Sequence, residues 1–242
     1  MAKARVIPLL LLRNGSLVKT KRFGKYEYIG DPCNTVRIFN ELEVDELIFL
    51  DILASRSNLE PNFKLLQAIS EECFMPLTYG GGIKEFCHAK EIFRLGFEKV
   101  SLNSALCNSI ELLTEISDHF GVQATIASLD YTSSPDGSKK VVGRFEEPAE
   151  WAQLLVEAGA GEILLTSVER EGTWSGLDLE MIRKVSSEIS VPLIAHGGTG
   201  SISDIEAAFS AGAAAVAVGS FFMFYKKDMG VLVNVPEAIK GL

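Results

Sequence analysis

The stretch Met75-Pro-Leu-Thr-Tyr-Gly-Gly-Gly-Ile83 returns, altered but legible, as Val191-Pro-Leu-Ile-Ala-His-Gly-Gly-Thr199. Each is a short apolar run ending in a glycine cluster, which reads as a strand that turns tightly into a helix. Gly96 comes sixteen residues after Gly80, and Gly212 fifteen after Gly197. Each of these opens a further strand, Gly-Phe-Glu-Lys-Val-Ser-Leu-Asn-Ser in the first copy and Gly-Ala-Ala-Ala-Val-Ala-Val-Gly-Ser in the second. The repeat predicts two halves of four strand–helix units, about 1–120 and 121–242.

Outward from these phrases, runs rich in Val, Ile and Leu recur about every 30 residues. They are Arg5–Leu12, Glu46–Asp51, Met75–Tyr79, Lys99–Asn103, Ala124–Asp130, Glu162–Ser167, Val191–Ala195 and Ala215–Gly219. Between them lie segments with apolar residues three and four apart, such as Lys64–Cys73, Cys87–Leu95, Ile110–Phe120, Pro148–Ala158 and Leu179–Ile189. Strands alternating with helices imply a parallel sheet. Eight units in 242 residues predict one α/β domain, a (βα)8 TIM barrel with a two-fold half-barrel repeat.

Composition removes several function classes. Apolar residues make up 47% and charged residues 23%, as in a folded globular chain. No apolar run approaches the roughly 18 residues of a membrane span. A net charge of −9 speaks against broad nucleic-acid or membrane binding. Cys33, Cys73, Cys87 and Cys107 are scattered without a CxxC pair, which points to reduced thiols in a cytoplasmic protein. No two of the three histidines are spaced to share a metal, and neither metal nor cofactor is expected.

The glycine clusters Gly80–Gly82 and Gly197–Gly198–Gly200 end strands 3 and 7, and Asn103-Ser104 and Gly219-Ser220 end strands 4 and 8. Glycine lets backbone N–H groups approach an anion, and in barrels the turns after strands 7 and 8 often cradle phosphate. A second such cradle on the opposite side predicts a ligand with two phosphates, although tight turns need glycine with or without a ligand. Lys19-Thr-Lys-Arg-Phe-Gly-Lys25 carries four cations just after strand 1 and reads either as a lid over an anion, with Lys19 foremost, or as a solvated loop.

Strand parity puts Arg5, Ile7, Leu9 and Leu11 on one face, Lys99, Ser101 and Asn103 on another, and Glu162, Leu164 and Thr166 on a third. If Asn103 and Thr166 face the mouth, Lys99 and Glu162 face inward at the opposite end, level with Arg5 and Glu46. Burying one such charge alone costs several kcal/mol, so a neutral ring of two cations and two anions is the sensible arrangement. The alternative leaves all four in water at the strand starts.

Asp45-Glu-Leu-Ile-Phe-Leu-Asp-Ile52, Thr78-Tyr-Gly-Gly-Gly-Ile83, Lys99-Val-Ser-Leu-Asn103, Gly159-Ala-Gly-Glu-Ile-Leu-Leu-Thr-Ser167 and Glu180-Met-Ile-Arg183 resemble the cyclase subunit (HisF) family of imidazole glycerol phosphate synthase over essentially the whole chain. The resemblance implies a barrel whose mouth binds a bisphosphate ribonucleotide, with a glutaminase docked at its floor and ammonia travelling up the axis. It maps the family's ammonia gate onto Arg5, Glu46, Lys99 and Glu162. It maps the phosphate sites onto Gly82, Asn103 and Ser104 on one side, and Gly172, Gly198, Gly219 and Ser220 on the other.

Departures from the family decide the functional reading. The cyclase works with two aspartates, at the mouth ends of strands 1 and 5. Asp130 stands in the strand 5 place, but the strand 1 place is Leu11, and losing one acid or base typically costs about 10²–10⁴-fold. His196 replaces a small hydroxyl residue, Glu171 replaces an aspartate, and the loop from Tyr131 to Arg144 is short. His196 sits across the barrel from Leu11, which suits phosphate contact or space filling better than proton transfer.

Three functions follow. The first is a divergent subunit that passes ammonia to a separate sugar-modifying amidotransferase, similar to paralogues of bacterial surface-polysaccharide (lipopolysaccharide) pathways. The second is a working cyclase, a lyase of histidine biosynthesis. The third is a non-catalytic phosphate-binding scaffold.

Overall fold

The computed structural model describes residues 4–224 and 230–239. Eight strands form its centre: β1 (Arg5–Arg13), β2 (Leu47–Asp51), β3 (Leu77–Gly80), β4 (Lys99–Leu102), β5 (Thr125–Ser133), β6 (Glu162–Ser167), β7 (Leu193–His196) and β8 (Ala215–Val218). Each pairs in parallel with the next, and β8 returns to β1 through the register Arg5–Ala215 to Pro8–Val218. Helices carry the chain between strands, so the fold is a single (βα)8 TIM barrel, as the periodicity predicts. Several helices start at capped ends, where the side chains of Asp31, Asn62, Asp178 and Ser201 accept backbone N–H groups of the first turn.

Two strand starts differ from the apolar runs by more than one residue. β3 and β7 each begin two residues later than those runs suggest, past Pro76 and Pro192. A proline has no N–H to give the ladder, so both serve only as acceptors, from Leu47 and Ile163. Two antiparallel additions also fall outside the repeat. Ser16–Thr20 and Tyr26–Gly30 form a hairpin after β1, and Lys139–Val141 folds back onto the extended end of β5.

The sheet divides the apolar interior in two. The larger core lies between sheet and helices. The smaller fills the barrel and contains Ile7, Leu9, Leu11, Ile48, Ile126, Leu164, Ile194, Ala215 and Ala217, the inward parity of their strands. Among the described residues no helix is long and apolar enough to cross a membrane.

Candidate functional site

Polar groups interrupt the inner core at its two ends. At the floor, where the strands begin, Arg5 Nη1 donates to Glu46 Oε1 at 2.9 Å and Nη2 to Glu162 Oε1 at 2.6 Å. Lys99 Nζ lies 3.0 Å from Glu162 Oε2 and 3.8 Å from Glu46 Oε2. Cation and anion alternate around a closed, neutral ring. Burial alone pulls the Arg5 guanidinium down, but Glu162 and Glu46 outweigh it and hold the group above its ordinary value. Arg5 therefore stays charged.

One layer higher, Ser101 Oγ and Ser128 Oγ are 2.7 Å apart and buried, and Thr78 on β3, in register with Lys99, is buried as well. These hydroxyls make a polar stripe on one wall, opposite the aliphatic wall of β7, β8 and β1. Ser101 is two residues above Lys99, roughly 7 Å of strand.

At the mouth, a cavity of about 280 Å³ opens over this stripe and reaches down to Ser101 and Ser128. Gly82, Asn103, Ser104 and Asp130 all line it, with Arg56 at its rim. Gly82 has φ +69°, and a Cβ there would meet the Leu59 carbonyl, so this turn accepts only glycine without strain. Asn103 Nδ2 donates to Asp130 Oδ2 at 2.8 Å. Burial pushes the Asp130 carboxyl up to about 6, even though hydrogen bonds from Asn103 and Thr166 and the charge of Arg56 favour its ionised form.

The other expected group, Lys19, Gly172, Gly198, Gly219 and Ser220, surrounds a separate space of only about 10 Å³, together with His196 and Trp174. Lys19 is on the hairpin strand and buried, with Nζ 3.4 Å from the Leu9 carbonyl. Burial pulls its ammonium down to about 8, with Glu171 opposing. The rest of the basic stretch behaves differently: Lys21, Arg22 and Lys25 are exposed. His196 is buried at the end of β7 with Nδ1 3.3 Å from Thr166 Oγ1. Burial and the nearby Lys19 charge bring its pKa down to about 3, so the ring is neutral at pH 7. Thr166 has one hydroxyl hydrogen; given to Asp130, it leaves the oxygen to accept from His196 Nδ1. Leu11 is 1% exposed and in register with Leu50 and Val18, and its side chain has no proton to exchange; it lines the same small space as Lys19, Glu171 and His196, so His196 stands near it and not across the barrel as strand order suggests.

Arg56 escapes sequence reasoning, and so does the structural role of Glu171, which the sequence marks only as a departure from the family. Arg56 lies in a turn with no motif around it. Glu171 accepts from Thr20 Oγ1 at 2.8 Å and from the Phe23 N–H at 2.8 Å, which ties the hairpin to the turn after β6. A carboxylate two residues before a Thr-Trp pair carries no local signal of a partner 151 residues away.

Comparison with known proteins agrees with this architecture. The family described as histidine biosynthesis protein matches residues 5–229. A Pseudomonas aeruginosa protein, provisionally named imidazole glycerol phosphate synthase subunit hisF2, is 47% identical over 247 residues, covering 99% of this chain and 98% of its own length. A Vibrio vulnificus protein, provisionally named subunit hisF3 of the same synthase, is 41% identical over 248 residues, covering 98% of this chain and 94% of its own. Imidazole glycerol phosphate synthase subunit HisF of Alkaliphilus metalliredigens is 37% identical over 248 residues, covering 100% of this chain and 96% of its own. The chain belongs to the histidine biosynthesis protein family, among the HisF-type subunits of imidazole glycerol phosphate synthase.

Proposed function

We propose that this barrel is the ammonia-conducting subunit of a glutamine-dependent amidotransferase system and that it has lost the ring-closing cyclase chemistry. The carrying observation is a contrast along β1. Arg5 at the floor completes a four-membered ion ring, while Leu11 at the mouth replaces an acid with a buried aliphatic group. A glutaminase subunit releases ammonia beneath the ring. Lys99 holds Glu46 by the longest of the four contacts, 3.8 Å, so its flexible side chain is the part that moves aside. Neutral ammonia then passes between the aliphatic side chains of the inner core to the Ser101–Ser128 pair one layer above the ring, which can hydrogen-bond it at the cavity floor. An ion in that apolar passage loses its hydration without compensation, which makes the bore selective for the uncharged species. Above it, Gly82, Asn103 and Ser104 hold a phosphorylated small molecule, and ammonia continues to a sugar-modifying amidotransferase of a surface-polysaccharide pathway.

The test is coupling in the reconstituted complex with its glutaminase. Lys99→Ala and Arg5→Ala should raise the glutamine consumed per aminated product, with glutamine hydrolysis itself intact. Unchanged coupling in both variants refutes the conduit.

One observation favours a second reading, the working cyclase: Asp130 titrates near 6 inside the cavity, which suits a general acid or base. Imidazole glycerol phosphate formed by the unaltered barrel would establish that reading.

A further inference from the structure

The two glycine cradles match in sequence and differ in space. On the Gly82 side the cavity measures about 280 Å³, just under the roughly 300–1,000 Å³ of ordinary small-molecule sites. On the Gly219 side about 10 Å³ remains, space for about one water molecule, which can serve the Lys19 ammonium.

Side chains account for the difference. A methyl group built on Gly219 would lie 2.5 Å from Lys19 Nζ, so the ammonium itself rests against the cradle's backbone. His196 and Trp174 close the remaining sides. The stopper is also fastened from behind. Glu171 holds Thr20 and Phe23 through its two carboxylate oxygens, and its carbonyl accepts the Arg22 N–H at 2.9 Å. These three bonds fix the hairpin that carries Lys19, and a phosphate can enter here only once the Lys19 side chain has turned out of the cradle. The open side has the reverse character. Arg56 lines it and acts on Asp130, and among the described residues it has no ion pair of its own.

We propose that the mouth takes a compact ligand bearing a single phosphate, held on the β2–β5 side with Arg56 as its counter-ion, and that Lys19 stoppers the opposite cradle. A molecule with a phosphate at each end would then keep one end in solvent. This rests on the conduit reading, since a barrel that seats only one end of a bisphosphate is poorly placed to process it.

The test is calorimetric titration of the full chain with ribose 5-phosphate and with ribulose 1,5-bisphosphate at matched ionic strength. The expected dissociation constants agree within about fivefold, with one site per chain, and Arg56→Gln weakens both by about tenfold or more. Three results overturn the proposal: a larger preference for the bisphosphate, a selective loss of bisphosphate affinity in Lys19→Ala, or saturation by neither compound at about 10 mM. The readout needs no turnover and no partner chain, so it fails or holds separately from ammonia transfer across the floor.

Discussion

Arg5 and Glu162 meet at 2.6 Å although 157 residues separate them, which makes their ion pair a strut between β1 and β6 across the barrel floor. These strands are not neighbours in the sheet, so no backbone bond does the same job. Arg5→Ala leaves Glu46 and Glu162, 11% and 9% exposed, with Lys99 as their only cation among the described residues. Removing one partner of a buried pair costs about 3–5 kcal/mol, and the partial exposure of this ring lowers that to about 2–3. Urea denaturation measures it. Arg37→Ala, which breaks an exposed pair with Glu72, should move the midpoint far less.

Lys19→Met should stabilise the fold at neutral pH. The native ammonium titrates near 8 against about 10.4 in the unfolded chain, so its burial cost is fully present below pH 8, fades as pH rises from 8 to about 10 and is largely gone beyond that. The expected gain is about 2–3 kcal/mol at pH 7 and shrinks toward zero at high pH. Denaturation midpoints of both proteins at pH 7 and pH 10 check the sign and the trend.

Asp130→Asn should help at pH 8 and be nearly neutral at pH 4. The native carboxyl titrates near 6, above its unfolded value of about 3.9, so the stability it supports is complete below pH 4 and lost as pH rises through 6. Because the group borders the mouth cavity, the gain of the amide at pH 8 is about 1–2 kcal/mol. Equal midpoints for the two proteins at pH 8 would mean the carboxyl ionises without penalty.

Leu11→Asp should be costly. It buries a carboxylate in register with Leu50 and Val18, beyond the cation ring at the floor, and the Lys19 ammonium, which borders the same small space, offsets only part of the desolvation cost. The loss is about 2–4 kcal/mol at pH 7 and smaller at pH 5, where the acid is more often protonated. Thermal unfolding at the two pH values reads it.

The barrel was legible because each strand–helix unit repeats one pattern, and because inward parity along β1 separates Arg5, Ile7, Leu9 and Leu11 from their neighbours. The same parity levels Lys99 with Glu162, so the floor ring followed once the strands closed. The hairpin from Ser16 to Gly30 was not legible. Its antiparallel pairing has no counterpart in the repeat, and a run of cations reads as solvated, so nothing local marks Lys19 as buried while Lys21 and Arg22 stay exposed. The inequality of the two cradles was hidden for the same reason. Matching glycines describe the backbone, and the space beside them is decided by side chains that arrive from the hairpin and from the turn after β6.

The central claim is that this barrel conveys ammonia without closing an imidazole ring. The most direct measurement is to incubate the purified chain with the cyclase's nucleotide bisphosphate substrate and an ammonium salt, and to follow imidazole glycerol phosphate beside a cyclase of the family that keeps both aspartates. The account predicts a rate at least about 10²-fold below that control, the cost of one missing acid or base. A rate comparable to the control's would contradict it.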